Sequence, residues 1–251
     1  MKNLQLLSAL IVLGSLSCSA QVSNFTIAQH GHPVGTASFT FTSAPSGRSS
    51  ASQVHVSMQG LTYALSNTEE LFPSNNLRHA QISATVNGSA VNLTAANDSA
   101  QYLLNISANG RAATTRLEFH PGAVLLADFD PGALQILLDL SNSPADARLG
   151  LWAIIPKQYT APPDSPQAGS TQPASIQPIQ VATYRDEEGT LDGKPIAVHH
   201  LIATIAGAQT ELFAGPDNQL VQAELPQQGF ALVRDGFVLT PPAHPIAPPS
   251  E

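Results

Sequence analysis

Short runs of alternating apolar and polar residues, separated by tight-turn residues, recur along most of this chain. In the run at 53–58, Val54, Val56 and Met58 share one face. The runs at 80–86 and 90–95 are joined through Asn87-Gly88, a dipeptide typical of two-residue β-hairpins. Asn109-Gly110 gives the same signal between later runs. Because strand side chains alternate between the two faces of a sheet, this pattern predicts a meander of antiparallel strands.

Similar runs continue in the second half of the chain, and together they predict roughly ten to twelve strands, enough for one large sheet or barrel. Asp186, Glu187 and Glu188, together with Asp192, are interpreted as a charged hairpin turn between two of these runs. Further turns are predicted at 215–218 and 227–229.

One segment breaks the two-residue period. Asp130-Pro131-Gly132 precedes a dense apolar run that ends near Leu140. Asp130 suits a helix N-cap, and Pro131 suits the first helical position. We therefore expect one mostly buried helix over roughly 131–141. The predicted fold class is mainly β: a curved antiparallel sheet or unclosed β-barrel with one main helix packed on it.

Composition divides the chain into a leader, a main domain with one proline-rich excursion, and a proline-rich tail. Residues 1–20 carry Lys2, a short apolar stretch and a small-residue exit at Ala20, which is typical of a secretory signal peptide. We expect a single β-rich domain over 21–240, with a proline-rich excursion at 161–178. The proline-rich tail at 241–251 is predicted to be disordered.

Export to the bacterial periplasm or outer envelope is the predicted localisation. The alternative is a lipoprotein anchored at Cys18, the one cysteine of the chain. Ser15, Leu16 and Ser17 match the usual lipidation pattern poorly, so ordinary cleavage is favoured. After cleavage no apolar segment long enough to span the membrane as a helix is expected.

Composition and motifs argue against several functions. Charged residues make up 11% of the chain and the net charge is −8, which argues against nucleic acid as a partner. The sequence lacks a Gly-x-Ser-x-Gly elbow, a phosphate-binding glycine loop and a His-Glu-x-x-His motif. We therefore predict no enzyme activity, no cofactor and no metal site.

Four groups of residues are candidate sites, and each also fits a plainer structural interpretation. His30 and His32 could bind a metal but fit a turn before a strand. His199 and His200 point to opposite faces of a strand and so cannot easily chelate one ion. The acidic residues in segment 186–192 could bind calcium, but they also fit a charged turn. The two aspartates in segment 128–132 could be a catalytic carboxylate pair, but Asp130 also fits a helix cap.

The segment 184–234 resembles the C-terminal part of a group of exported bacterial proteins of unknown function. It carries Gly189-Thr190-Leu191-Asp192-Gly193 and two further strand patterns, but 215–219 departs from the turn usual in that group. Such proteins resemble the periplasmic lipoprotein carriers (LolA/LolB-type). The resemblance implies an unclosed antiparallel barrel with a helix as lid and an interior that holds acyl chains. It transfers no functional residue.

The alternating runs align their apolar residues on one sheet face, which either fills an ordinary core or lines a ligand cavity. The predicted ligand-lining residues are Phe39, Phe41, Val56, Met58, Tyr102, Leu104, Leu117 and Phe119. Two functions follow from these alternatives. The first is an exported binding module, possible partners being an acyl chain or a lipidated protein. The second is a structural or interaction protein with a filled core.

Overall fold

A computed structural model describes residues 21–142, 150–156 and 174–240 of the chain. The predicted signal peptide, the tail at 241–251 and most of the excursion at 161–178 lie outside the described residues. The first half of the described chain contains β1 (Gln21–Gln29), β2 (His32–Ala44), β3 (Gly47–Met58), β4 (Leu61–Leu71), β5 (Leu77–Val86), β6 (Ser89–Asp98), β7 (Gln101–Ala108) and β8 (Arg111–Glu118). The rest contains β9 (Ala123–Leu125), α1 (Pro131–Ser141), β10 (Leu151–Pro156), β11 (Ala174–Leu191), β12 (Lys194–Ile205), β13 (Ala208–Ala214), β14 (Leu220–Leu225), β15 (Phe230–Arg234) and β16 (Phe237–Leu239).

All of these strands belong to one sheet. Strands β8 to β1 lie side by side in reverse chain order, β1 pairs with β15, and the order then runs from β15 back to β9. The pairings are antiparallel except for β9 with β10, and β16 adds to the far end of β11. The sheet is curved and does not close, with β8 and β9 at its two ends. The predicted mainly β, unclosed architecture with one helix is confirmed, although the described residues form more strands than expected.

The two predicted hairpin turns are present. Asn87 and Gly88 both have positive φ, and so do Asn109 and Gly110. Positive φ at both central residues defines the type I′ turn, whose twist matches that of the flanking strands. Asn tolerates this left-handed conformation better than most residues with a side chain, and Gly adopts it freely. These turns fix the register of β5 with β6 and of β7 with β8.

The predicted helix spans Pro131–Ser141, and its N-cap is Asp130 as expected. The Asp130 carboxylate accepts from the backbone N–H of Gly132 at 2.9 Å and of Ala133 at 3.3 Å. The helix contacts β2 and β3 from one half of the sheet and β13 and β14 from the other. It is therefore surrounded by the inner face of the sheet, which explains why apolar residues occur on nearly all sides of it.

Side chains in the middle and the last turn of the helix bind groups of both halves of the sheet. Gln135 accepts from the backbone N–H of Leu220 at 2.8 Å and donates to the Asn218 carbonyl at 2.9 Å. Arg48 on β3 forms an ion pair with Asp139. Since these bonds reach both halves of the sheet, α1 links them in addition to the β1–β15 pairing.

Two details differ from the sequence-based interpretation. Of the residues interpreted as a charged turn, Asp186, Glu187 and Glu188 lie inside β11, and only Asp192 belongs to the turn, which is formed with Gly193. The end of the predicted excursion, 174–178, also belongs to β11. There Pro178 pairs only with β10, because β12 pairs with β11 from Ile179 onward. On the side of β11 where β12 has not yet begun to pair, no neighbouring strand is present to accept a hydrogen bond, so the missing N–H of Pro178 costs none there.

The inner face of the sheet and α1 form the main hydrophobic core. Val198, Phe213, Val221 and Phe237 form a smaller second core, on the outer face of β12 to β14 where β16 adds to the sheet. Among the described residues, no helix has both the length and the apolar character needed to cross a membrane.

Candidate functional site

An apolar cavity of about 340 Å³ lies between the inner face of β4–β7 and the connection from β9 to α1. Buried and half-buried aliphatic side chains form most of its wall. These are Leu65, Ile82, Ala84, Val86, Val91, Leu93, Ile106, Ala108, Leu126, Ala127, Ile155 and Pro156. A cavity of this size is at the lower end of the range of small-molecule sites, which spans roughly 300–1,000 Å³.

The polar residues of this apolar cavity come from its turns and from one connection. They are Tyr63, Asn87, Ser89, Asn109 and Asp128. The Asn87 side chain is already engaged, because its Oδ1 accepts from the Thr62 N–H at 2.8 Å and its Nδ2 donates to the Gly60 carbonyl at 3.2 Å. These bonds tie the β5–β6 turn to the β3–β4 turn and hold that side of the cavity in a fixed position.

The connection 126–130 is positioned by an aromatic residue in a left-handed conformation. Phe129 has φ of 58°. Its ring packs edge-on against Tyr63, with centroids 6.1 Å apart, and against Phe230, at 4.8 Å. The Tyr63 hydroxyl donates to the backbone carbonyl of Asp128 at 3.3 Å. The left-handed backbone conformation is costly for residues other than Gly, and here the packing of the Phe129 ring maintains it. On either side of Phe129, Asp128 lines the cavity and Asp130 caps the helix.

A second polar feature, the carboxyl cluster, consists of Asn67, Glu69 and Asp130 and is buried under the N-terminus of α1. Each of the three is about 1% exposed. The Asn67 amide donates to Glu69 Oε1 at 2.8 Å and to Asp130 Oδ2 at 2.6 Å. Glu69 Oε2 and Asn67 Oδ1 have no hydrogen-bond partner among the described residues. Two carboxyl groups therefore share one amide in a region without solvent.

Burial, and then the negative charge of Asp130, raise the pKa of Glu69 to about 8, although the Asn67 hydrogen bond opposes the shift. Glu69 is therefore mostly protonated at neutral pH. Asp130 keeps the cap role because its carboxylate accepts two backbone N–H groups at the positive end of the helix. The cluster thus holds one neutral and one charged carboxyl group.

The outer face of the second half of the sheet carries a different buried polar group. His200 stacks on Phe213, with ring centroids 4.2 Å apart, and its Nδ1 lies 2.9 Å from Glu187 Oε1. Its Nε2 lies 3.0 Å from a Glu211 oxygen but outside hydrogen-bond geometry. Arg185 donates to Glu187 at 2.7 Å. Burial acts to raise the pKa of Glu187, but the hydrogen bonds from Arg185 and His200 hold it below its usual value.

The two histidines of this strand do point to opposite faces, as expected. His199 is exposed, and its Nδ1 lies 2.6 Å from Asp186, whereas His200 is buried. Across the described residues, no group of three or more His, Cys, Asp or Glu side chains is placed to hold a metal ion. In the acidic segment 186–192, Asp186, Glu187 and Glu188 alternate between the two faces of β11, and Asp192 lies in the turn that follows the strand. His30 occupies the β1–β2 turn.

A larger concavity, of about 540 Å³, lies on the outer face of β1–β5. Most of its lining residues carry hydroxyl, amide or imidazole groups, for example Thr26, Ser38, Gln53, His55 and Ser83. Its surface is more evenly divided between polar and apolar atoms than that of the apolar cavity, which is therefore the better candidate site for a hydrophobic ligand.

The eight residues predicted to line a ligand site all belong to the main core or pack against it. Phe39, Val56, Tyr102, Leu104 and Leu117 are buried in it, and Phe41, Met58 and Phe119 are partly buried against it. None of the eight is among the residues that line the apolar cavity. Contact between these residues and a ligand stays a prediction.

Sequence reasoning missed β4 and with it Tyr63, Asn67 and Glu69. The strand does show alternation, because Tyr63, Leu65, Asn67, Glu69 and Leu71 are all buried. Asn67 and Glu69 in that series interrupt the alternation of apolar and polar residues that indicates a half-buried strand. A polar residue at an inward position was the signal that could have indicated a buried polar site.

A comparison of the chain with protein-family models, with curated proteins and with solved structures finds no match. The similarity to periplasmic lipoprotein carriers therefore remains an expectation based on the sequence pattern.

Proposed function

We propose that this protein is an exported binding module for a ligand with one short hydrophobic chain. The observation that carries the proposal is the apolar cavity of about 340 Å³ between β4–β7 and the β9–α1 connection. At about 30 Å³ for a water molecule in the liquid, and a similar volume for a methylene group, this space suits roughly ten carbon atoms. That size supports a single chain more than the several acyl chains of a lipidated protein.

The walls of the apolar cavity support the same conclusion. Ala84, Val86 and Val91 are half-buried, so part of their apolar surface stays in contact with solvent when the cavity is empty. Covering such surface gains roughly 25 cal/mol per Å², which is the main driving force for binding an alkyl chain. Export is supported by the lysine, the short apolar stretch and the small residues of segment 1–20.

Filling the apolar cavity with a side chain tests the proposal. Ala84→Phe places a ring where the chain of the ligand would lie. We expect it to weaken binding of the neutral fluorescent probe N-phenyl-1-naphthylamine by about tenfold or more, since about 1.4 kcal/mol of lost contact suffices for that. The matched control is Ala90→Phe on the adjacent strand β6, where Ala90 is exposed and does not line the cavity. Equal probe affinity in the two variants, with both folded by circular dichroism, would contradict the proposal.

A structural or interaction role with a filled core is the second candidate, because α1 occupies much of the space inside the curved sheet. Native mass spectrometry of protein purified from the cells that make it separates the two. A co-purifying amphiphile at fixed stoichiometry supports the binding module. The bare polypeptide mass, together with no binding of the fluorescent probe, supports the filled core.

A further inference from the structure

The strand register divides the sheet wall of the apolar cavity into levels, each made of residues that lie opposite one another on β4–β7. The first level, next to the Asn87-Gly88 turn, consists of Tyr63, Val86 and Ser89. The second consists of Leu65, Ala84, Val91 and Ala108. The third consists of Asn67, Ile82, Leu93 and Ile106. Successive levels are two residues apart along each strand, a distance of about 7 Å.

One end of the apolar cavity is open and the other is blind. At the open end Asn87, Ser89 and Asn109 are exposed. Ala84 and Val91 of the second level are half-buried, whereas every residue of the third level is at most 5% exposed. The fourth level consists of Glu69, Ala80, Ala95 and Leu104. Its residues are at most 1% exposed and none of them lines the cavity, so the cavity ends between the third and fourth levels.

The carboxyl cluster lies just beyond the blind end, on the β4 side. Asn67 belongs to the third level and Glu69 to the fourth, and the Asn67 amide joins Glu69 to Asp130 under α1. An alkyl chain that went further would separate these buried groups from their hydrogen-bond partners. That separation costs more than the burial of another methylene group gains. The blind end therefore opposes extension of the chain.

We propose that the alkyl chain of the ligand enters between the hairpin turns with its methyl end first, and that the third level sets the longest chain that the cavity accepts. This inference rests on the proposed function and adds the orientation and the length limit of the ligand. The ligand is a single-chain amphiphile of about ten carbon atoms, the number that the cavity volume allows. Its head group stays outside, among the exposed turn residues, and Leu93 and Ile106 determine the chain-length specificity.

Hexyl, octyl, decyl and dodecyl maltoside test the orientation and the limit together, because the bulky, uncharged maltose head group does not fit inside with the chain. Each competes against N-phenyl-1-naphthylamine below its micelle concentration. From hexyl to decyl we expect the affinity to rise about fourfold per methylene group, the equivalent of about 0.8 kcal/mol. From decyl to dodecyl we expect no further rise.

Leu93→Ala enlarges the blind end and should move the limit, so that dodecyl maltoside binds about tenfold more tightly than decyl maltoside. The matched control is Val91→Ala, which truncates an apolar residue of the second level on the same face of β6. It should leave the limit at the decyl chain. Ile106→Val is a milder truncation at the third level with less loss of stability, and it should give a smaller gain for dodecyl maltoside.

The outcomes separate this inference from the proposed function. A continued rise to dodecyl maltoside in the native protein, or an equal gain for it in the third-level variants and in Val91→Ala, would overturn the length limit. If no maltoside displaced the probe while Ala84→Phe still weakened its binding, the orientation would be wrong and the proposed function would stand. Equal probe affinity in Ala84→Phe and Ala90→Phe would overturn the proposed function itself.

Discussion

Replacing Glu69 with glutamine is expected to remove a fall in folding stability that the native protein shows as the pH rises from about 4.5 to about 8. In the folded state Glu69 holds its proton up to about pH 8, whereas in the unfolded chain it releases the proton near its ordinary value of 4.5. Between these values the folded state binds more protons, so the free energy of unfolding decreases with pH. The stabilisation is complete below about pH 4.5 and is lost above about pH 8.

The size of the effect makes it measurable by urea denaturation followed by circular dichroism. A pKa shift of this kind corresponds to roughly 3–5 kcal/mol of stability over the full range. Glu69→Gln cannot ionise, so near pH 5 we expect it to lie within about 1 kcal/mol of the native protein. Near pH 8.5 it should be the more stable of the two by several kcal/mol.

The neighbouring glutamate provides the control for this experiment. Glu70 is on the same strand but points to the exposed outer face. Glu70→Gln should leave the pH profile of the native protein unchanged. The loss of folding stability at low pH has other causes. One is Glu187, whose lowered pKa adds stability that is lost as the pH falls below about 4.5. Parallel profiles for Glu69→Gln and the native protein would show that Glu69 does not hold its proton when folded.

The sequence predicted the elements that depend on local chemistry. The hairpins at Asn87-Gly88 and Asn109-Gly110 follow from residues that tolerate positive φ. The helix follows from Asp130, Pro131 and the loss of the two-residue period. In each case a few consecutive residues determine the local conformation, and no distant contact is needed to recognise it.

The cavity and the carboxyl cluster depend instead on which strands meet. Asn67 and Asp130 are 63 residues apart in the chain and come within 2.6 Å only because α1 packs on β2 and β3, which brings its N-cap next to Asn67 of β4. The cavity likewise joins β4–β7 to the end of β10. Periodicity shows that residues share a face but not what faces them, so it could not separate Tyr102, which is fully buried, from Ala84, which borders a cavity.

Removing the carboxylate of Asp130 is expected to destabilise the fold by about 2–4 kcal/mol at neutral pH. Asp130→Ala removes the helix N-cap, a loss of roughly 0.5–2 kcal/mol. It also leaves the Asn67 amide and the N–H groups of Gly132 and Ala133 buried with fewer acceptors. Asp130→Ser keeps a cap acceptor but does not reach Asn67, so it should recover about half of the loss. Equal stability of the alanine and serine variants would show that the cap contributes little.

The pH dependence of the same variants separates the cap from the carboxyl cluster. The charge of Asp130 is the second cause of the raised pKa of Glu69, after burial. Asp130→Ala should therefore lower that pKa without restoring its ordinary value, and the fall of stability with pH should persist over a narrower range. In the double variant with Glu69→Gln the fall should be absent, and the effect of Asp130→Ala should no longer vary with pH. If Asp130→Ala did not change the pH at which the decrease in the free energy of unfolding ends, the two carboxyl groups would not be coupled. The role of Asp130 would then be limited to capping the helix.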